Sequence, residues 1–255
     1  MLSYIEAVMA ARTMEEVWPI HCQAMAKLGF NRLIYGMTRS RSRVSLGNRE
    51  DFLVLTNLDE SYTDPFVNQG LYLHAPMMRW VLKNTGARSW SWLKENKATL
   101  TPEELRVLQF NLENGVKAGY SISFQDVSPR AIAAIGLMAD PDVTQEAVDA
   151  MWENRGREIL AMNNILHLKA MHLPYTAARK NLTKRQRESL EWVGEGKTTQ
   201  DIGTIMGLTP ATVEKHLRLA REALDVETTA QAVVKASFQN QIFLVEWLSP
   251  DQPST

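Results

Sequence analysis

Apolar residues recur every three or four positions through the last quarter of the chain, which predicts a series of amphipathic helices. A threonine precedes each of four predicted helices, and its hydroxyl can accept a hydrogen bond from an unpaired N–H of the first turn. The four residues are Thr183, Thr198, Thr209 and Thr228. All but Thr209, which precedes a proline, have a Gln or an Asp three residues later, and this spacing predicts capping boxes.

The second and third of these helices flank a short turn, Met206-Gly207-Leu208, in which Gly207 can adopt a left-handed conformation. This arrangement is typical of a helix-turn-helix. On the third helix, an apolar stripe lies opposite a polar face that comprises Thr212, Glu214, Lys215, Arg218 and Arg221. Such a division suits a recognition helix, because one side packs in a core while the other presents hydrogen-bonding groups to base edges and phosphates.

Charge supports nucleic-acid binding only locally. The chain carries a net charge of −1, and residues 181–240 contain as many acidic as basic side chains. We expect phosphate contacts from the basic residues of this region and base contacts from Thr212, Glu214 and Lys215. The predicted DNA-binding residues are Lys184, Arg185, Lys197, Thr198, Thr212, Glu214, Lys215, Arg218 and Arg221. Because a weakly charged module binds poorly alone, we predict a homodimer on the two half-sites of an inverted-repeat operator of double-stranded DNA.

The first 172 residues alternate between helical and strand-like patterns, which predicts a mostly antiparallel sheet flanked by helices, an α/β/α sandwich. Strands are predicted over 30–37, 51–56, 119–125 and 131–138. One helix is predicted over 3–28, another from Thr101, and a long one that Asp142 and Gln145 open and Pro174 ends. The predicted fold class is α/β plus all-α, with a sandwich over 1–172, a linker over 173–181 and a four-helix domain over 182–248.

Composition narrows the classes of function. A chain of 255 residues, 45% of them hydrophobic, can form two domains with separate cores. The single cysteine, Cys22, excludes an internal disulfide, and the lack of a long apolar run or a signal sequence predicts a cytoplasmic protein without a membrane partner. Because the histidines and Cys22 lack the spacing of a metal site or a catalytic dyad, we predict no catalytic residue, no metal and no cofactor.

The last quarter resembles the LuxR-type (GerE-like) helix-turn-helix family over its full length. The resemblance rests on Leu182-Thr183, Arg185, Leu190, Gly196-Lys197-Thr198, Ile202, Thr212-Val213, His216-Leu217, Leu224 and Ala232-Val233. It implies the DNA-binding domain of a transcription regulator, which contacts RNA polymerase if it is an activator. Glu214 stands where relatives often present a basic or base-contacting side chain. Since a carboxylate accepts from cytosine N4 but repels phosphate, we expect the DNA site to differ from those of relatives.

The first domain resembles the ligand-sensing domain that precedes this module in quorum-sensing regulators. The order of elements fits, and Ala75-Pro76, Trp90, Gly119 and the long closing helix fall at matching places. The resemblance implies that regulators of this family hold an acyl-homoserine lactone between the sheet and the helices. An Asp accepts the ligand amide N–H, a Trp donates to the lactone carbonyl, and Tyr and Ser or Thr residues hold the acyl carbonyl. Ligand occupancy supports folding or dimerisation.

The matching positions depart from this pocket. Trp90 is retained and Tyr62 is an aromatic residue, but Ala75 replaces the Asp, Leu58 replaces a Tyr and Gly136 replaces a hydroxyl residue. A buried amide N–H without an acceptor costs about 1–3 kcal/mol, so we expect ordinary acyl-homoserine lactones to bind weakly or not at all. The predicted pocket residues are Leu58, Tyr62, Tyr72, Ala75, Met77, Trp90 and Gly136.

Two interpretations of the pocket stay open. In one, the former cavity is filled as a core by Leu58, Met77, Met78, Ile122, Phe124 and Ile135. In the other, it is relined for a small apolar or aromatic ligand, with Tyr62, Tyr72 and Trp90 supplying hydrogen bonds or stacking.

The predicted function is that of a homodimeric regulator resembling the LuxR solo (orphan) type. The alternative is a phosphorylation-controlled response regulator with the same DNA-binding domain, although the first predicted strand does not end in an acidic residue. A small-molecule enzyme fused to a DNA-binding module is a more distant third interpretation.

Overall fold

The computed structural model describes residues 1–39, 41–42, 45–124, 128, 130–174 and 182–243. The chain divides into two compact units, Met1–Leu173 and Pro174–Thr255. Most of the predicted linker, 173–181, and the predicted end of the second domain at 248 lie outside the described residues. Within the described part of the chain, no helix combines the length and the apolar character needed to cross a membrane.

The described residues of the first unit form a five-stranded antiparallel sheet in the order β2-β1-β5-β4-β3. The strands are β1 (Arg32–Thr38), β2 (Leu53–Thr56), β3 (Gly86–Ser89), β4 (Gly119–Ser123) and β5 (Ile132–Met138). The four predicted strands are present as β1, β2, β4 and β5. Strand β3 was not predicted, because the run Gly-Ala-Arg-Ser shows no apolar alternation and all four residues are only half-buried.

Seven α-helices accompany this sheet in the described residues of the first unit: α1 (Leu2–Ala10), α2 (Met14–Ala26), α3 (Glu60–Thr63), α4 (Pro76–Val81), α5 (Ser91–Glu95), α6 (Pro102–Glu113) and α7 (Gln145–His172). The single helix predicted over 3–28 is wrong. Ala11 is extended, and the hydroxyl of Thr13 accepts from the N–H of Glu16 to start a second helix. The helix predicted from Thr101 is confirmed, with a complete capping box to Glu104.

The capping box predicted for α7 is also wrong, because Thr144 rather than Asp142 caps the helix. Gln145 has a different role. Its side-chain oxygen accepts from the N–H of Gly119 at 2.9 Å, and its amide nitrogen donates to the carbonyl of Gly119 at 3.2 Å. The same carbonyl accepts from the backbone N–H of Trp90 at 3.1 Å. The first turn of α7 is therefore joined to the start of β4.

Helices α2 and α7 pack against one face of the sheet, and α1 packs on these two helices. Tyr35 on β1 makes a 2.9 Å hydrogen bond with Nδ1 of His167 on α7, and the Phe124 ring stacks on His167 with ring centroids 4.4 Å apart. Tyr120 stacks on Trp152 of α7 at 3.8 Å. Since side chains alternate along a strand, the intervening residues face the other side, where α4 packs against β4. The predicted α/β/α sandwich is confirmed.

In the second unit, the described residues form four helices, α8 (Lys184–Gly194), α9 (Thr199–Met206), α10 (Pro210–Leu224) and α11 (Thr229–Phe238). All four predicted threonine caps are present, and the three predicted capping boxes are complete. Gly207 has a φ of 66° and ends α9 as predicted. The apolar stripe of α10 is buried in one core with residues of the other three helices. Local capping and this shared core together fix the helix-turn-helix.

Candidate ligand cavity and nucleic-acid interface

A cavity of about 190 Å³ lies between the sheet and helices α4, α5 and α6. Its floor is made of small residues on the three central strands. Gly36 of β1 pairs with Ala134 of β5, and Gly136 of β5 lies beside Ser121 of β4. A Cβ added at Gly36 would meet no atom within 4 Å, so the missing side chain there leaves open space.

The walls of the cavity are almost entirely apolar. Phe52 and Val54 of β2 contribute from one side and Leu93 of α5 from another; the helical lining also includes Met77, Met78, Val81, Leu108 and Leu112. No carboxylate or imidazole side chain stands among its described lining residues. The cavity therefore offers a ligand contact area and few polar groups.

Two pairs of polar side chains in the lining are bonded to one another. The indole N–H of Trp90 donates to Oγ of Ser121 at 2.9 Å. The Tyr62 hydroxyl donates to Oδ1 of Asn111 at 2.9 Å, and burial raises the pKa of Tyr62 well above its usual range. The Tyr62 ring also stacks on Phe66, with ring centroids 5.2 Å apart. Trp90 and Tyr62 thus use their hydrogen-bond donors within the protein.

Most of the predicted pocket residues line this cavity, namely Tyr62, Tyr72, Ala75, Met77, Trp90 and Gly136. Leu58 does not. It packs against the cluster of Tyr62, Val116 and Met138. The local pattern could not reveal this, because Leu58 lies just after β2 and just before α3, where neither periodicity applies.

Three of the six residues of the filled-core interpretation do not line the cavity, namely Leu58, Ile122 and Phe124. Phe124 stacks on His167 of α7, and Ile122 lies on the same side of β4. Gly36, Ser121 and Asn111 also line the cavity and were not predicted. The alternation of Ser121 and Ser123 with apolar residues in GYSIS did indicate a second face of β4.

The recognition helix α10 presents the predicted DNA-contacting side chains on its outer face, where Glu214, Lys215 and Arg218 are exposed and Thr212 is half-buried. Glu214 forms an ion pair with Arg221 at 3.3 Å. Arg221 also donates to the hydroxyl of Thr229, the first residue of α11, at 2.7 Å. The carboxylate of Glu214 is therefore turned along the helix toward Arg221.

The remaining predicted DNA-binding residues lie on α8 and at the start of α9, and Lys184, Arg185, Lys197 and Thr198 are all exposed. Arg185 pairs with Glu188 at 2.9 Å, and Arg218 on α10 pairs with Glu222. Thr198 caps α9 through Asp201, and the Thr198 hydrogen bonds lower the pKa of that carboxyl. In the described part of the chain, Lys197 and Lys215 form no ion pair, so their charges are available to phosphate.

Metal chemistry has no support in the described residues, where no group of three His, Cys, Asp or Glu side chains could hold an ion. Burial lowers the pKa of His21 to about 4 and raises that of Cys22 to about 11. Neither residue has the electrostatic setting of a reactive group.

Comparisons with known proteins agree with both units. The family model "Autoinducer binding domain" matches residues 13–170, and the model "Bacterial regulatory proteins, luxR family" matches residues 180–236. The transcriptional activator protein AnoR of Acinetobacter nosocomialis is 22% identical over 91% of this chain and 94% of its own length. The quorum sensing-dependent regulator RpaR of Rhodopseudomonas palustris is 33% identical over 53% of each. The Escherichia coli SdiA structure has the same fold, with a TM-score of 0.54, 16% identity and coverage of 95% of this chain and 98% of that chain.

The response-regulator alternative is wrong. The sheet of the first unit is antiparallel throughout its described pairings, whereas a phosphorylated receiver has a parallel, doubly wound sheet. The autoinducer-binding match also covers the region where a receiver would lie. The chain belongs to the LuxR family of bacterial regulatory proteins and is a DNA-binding transcription regulator with an autoinducer-binding domain.

Proposed function

We propose that this regulator is a homodimer whose first domain encloses an apolar molecule other than an ordinary acyl-homoserine lactone. The observation that carries the proposal is the cavity itself. The cavity has a volume of about 190 Å³, and Ala75 lines it at the position where an Asp would accept a hydrogen bond from the ligand amide. An open cavity with this lining supports a relined ligand site over a filled core.

The apolar lining of the cavity favours an occupant. The cavity is partly open to solvent, so its apolar surface meets water when no ligand is bound. A ligand that fills the space removes this surface from water, and its binding then stabilises the folded state by mass action.

The lining of the cavity disfavours the binding of an acyl-homoserine lactone. An acyl-homoserine lactone would bring an amide N–H into a cavity whose described lining has no carboxylate. Leaving that donor unpaired costs about 1–3 kcal/mol, or roughly 5- to 150-fold in affinity. Calorimetry of the full chain with acyl-homoserine lactones tests this, and Ala75→Asp should raise their affinity at least about tenfold. Tight binding by the unsubstituted chain would contradict the proposal.

Dimerisation is expected from the charge of the second domain. Residues 181–240 contain as many acidic as basic side chains, and three of the predicted phosphate-binding arginines are ion-paired within the module. One such module has little general affinity for DNA, whereas two modules on an inverted repeat gain from their joint binding. Sedimentation should show a dimer, and footprints should cover two half-sites about one helical turn apart.

The polar face of α10 is proposed to contact the operator through Thr212, Glu214 and Lys215. Lys215→Ala together with Arg218→Ala should abolish specific retention of operator DNA while leaving the helical circular dichroism unchanged. Val234→Ala on α11, where the side chain is half-exposed and lies on another helix, serves as the matched control. Retention by the double variant would refute the assigned face.

Mass spectrometry of the native protein from its own host tests whether a ligand is present at all. The proposal expects one small apolar molecule per chain. A protein that is dimeric, binds its operator and carries no molecule would contradict it.

A further inference from the structure

We propose that the cavity selects an apolar ligand that accepts hydrogen bonds and donates none, such as a ketone or an ester, through the hydroxyl of Ser121. This inference rests on the proposed function, because it takes the cavity to be a ligand site. It goes further by assigning the polar contact to a residue of β4 and by naming the chemistry that the contact recognises.

Trp90 and Ser121 share a hydrogen bond in the cavity lining. The indole nitrogen can only donate, so at 2.9 Å the Ser121 oxygen is the acceptor. The Ser121 proton must therefore point elsewhere. No acceptor for it is present among the described residues, although Ser121 is only 6% exposed. A buried hydroxyl with an unused donor costs stability unless something else accepts from it.

The position of the Ser121 hydroxyl favours contact with a ligand. Ser121 lines the cavity, and its cross-strand neighbour Gly136 has no side chain to shield it. Ser123, the next serine on this face of β4, differs from Ser121. Its hydroxyl donates to the carbonyl of Val81 at 3.1 Å, so its proton is already used. Ser121 thus has an unused donor beside the space that a ligand would occupy.

The cavity lining offers more hydrogen-bond donors than strong acceptors. The Asn111 oxygen accepts from Tyr62, which leaves the amide N–H groups of Asn111 as donors. The exposed Lys117 adds a cationic donor, and the described lining holds no carboxylate or imidazole to act as a strong acceptor. A ligand carbonyl finds several donors in such a site, whereas a ligand N–H finds only hydroxyl oxygens, such as that of Tyr72, which are weaker acceptors than a carboxylate.

The apolar part of the ligand follows from the volume. An apolar cavity of about 150 Å³ binds benzene, so about 190 Å³ accommodates on the order of six to ten carbon atoms. Methyl octanoate and N-methyloctanamide are suitable probes, because they have the same length and differ only in an ester oxygen against an amide N–H.

The experiment measures the affinity of both probes for the full chain by calorimetry. The ester should bind at least about tenfold more tightly than the amide. Ala75→Asp supplies an acceptor and should reduce that ratio by raising the affinity of the amide. Ser121→Ala should weaken the ester about two- to tenfold and leave nonane unaffected, while Ser123→Ala, the matched control on the same strand, should change neither.

The outcomes separate this inference from the proposed function. Equal affinity for ester and amide, or an ester affinity that survives Ser121→Ala unchanged, overturns the Ser121 assignment and leaves an apolar ligand site in place. Failure of nonane, the ester and the amide alike to bind overturns the inference as well. Tight binding of N-octanoyl homoserine lactone by the unsubstituted chain overturns the proposed function.

Discussion

Filling the cavity from its floor should stabilise the protein. Gly36 lies on β1 between Tyr35 and Met37, which face the opposite side of the sheet, and a Cβ at this position would meet nothing within 4 Å. In Gly36→Val, three buried carbon atoms contribute about 0.8 kcal/mol each, and removing a glycine from a strand adds about 0.5–1 kcal/mol. Some of this gain is offset by crowding, which typically costs about 1–3 kcal/mol.

We therefore expect Gly36→Val to raise the free energy of unfolding by about 1–2 kcal/mol. For a domain of this size, that corresponds to roughly 2–8 °C in the melting temperature of the first domain, measured by scanning calorimetry of the full chain. The variant should also lose the stabilisation that methyl octanoate gives to the unsubstituted chain. Both effects have one cause, because the valine side chain and the ligand occupy the same space.

Gly119→Val is the matched control in the same sheet. A Cβ at Gly119 would lie 2.1 Å from the carbonyl oxygen of Leu137, so this substitution should destabilise the protein by about 3 kcal/mol or more. A lower melting temperature in Gly36→Val would contradict the conclusion that the space beside Gly36 is open. A higher melting temperature with ligand stabilisation intact would place the ligand elsewhere.

Three further predictions concern other parts of the chain. Because Gly207 has a φ of 66° and free space around it, Gly207→Ala should lower the urea midpoint by the equivalent of about 1–2 kcal/mol, and Gly207→Asn by less. Lys197→Gln and Lys215→Gln should each reduce the salt dependence of DNA affinity by about one phosphate contact, measured by fluorescence anisotropy; an unchanged slope would remove that lysine from the interface. Burial lowers the pKa of His21 to about 4, so the unfolded chain takes up this proton first as the pH falls. Stability should decline by up to about 3 kcal/mol between pH 6.5 and pH 4, and His21→Gln should flatten this decline; parallel curves would contradict it.

The second domain could be predicted from sequence nearly in full, because its helix boundaries are determined by local chemistry. Thr183, Thr198, Thr209 and Thr228 each cap the helix that follows, and each cap involves residues no more than three positions apart. What the sequence could not show is the pairing of Glu214 with Arg221. That choice depends on side-chain conformations along the helix surface.

The cavity was harder to predict because it depends on which face of each strand meets which layer. The run GYSIS shows the alternation of β4, but only the stacking of Tyr120 on Trp152 shows that its aromatic face meets α7. The same uncertainty left open a filled core that included Ile122 and Phe124, whose side chains face α7. An open cavity produces no pattern in the sequence. Gly36 resembles any glycine in a strand, and only its neighbours in the structure show that the space beside it is open.

The carbonyl of Gly119 has a mechanical consequence. It accepts from the backbone of Trp90, in the cavity wall, and from the side chain of Gln145, in the first turn of α7. Two hydrogen bonds thus meet at one carbonyl, one from the backbone beside the ligand space and one from the first turn of the longest helix described in the domain. A ligand that shifts the Trp90 backbone would disturb the acceptor that also holds α7.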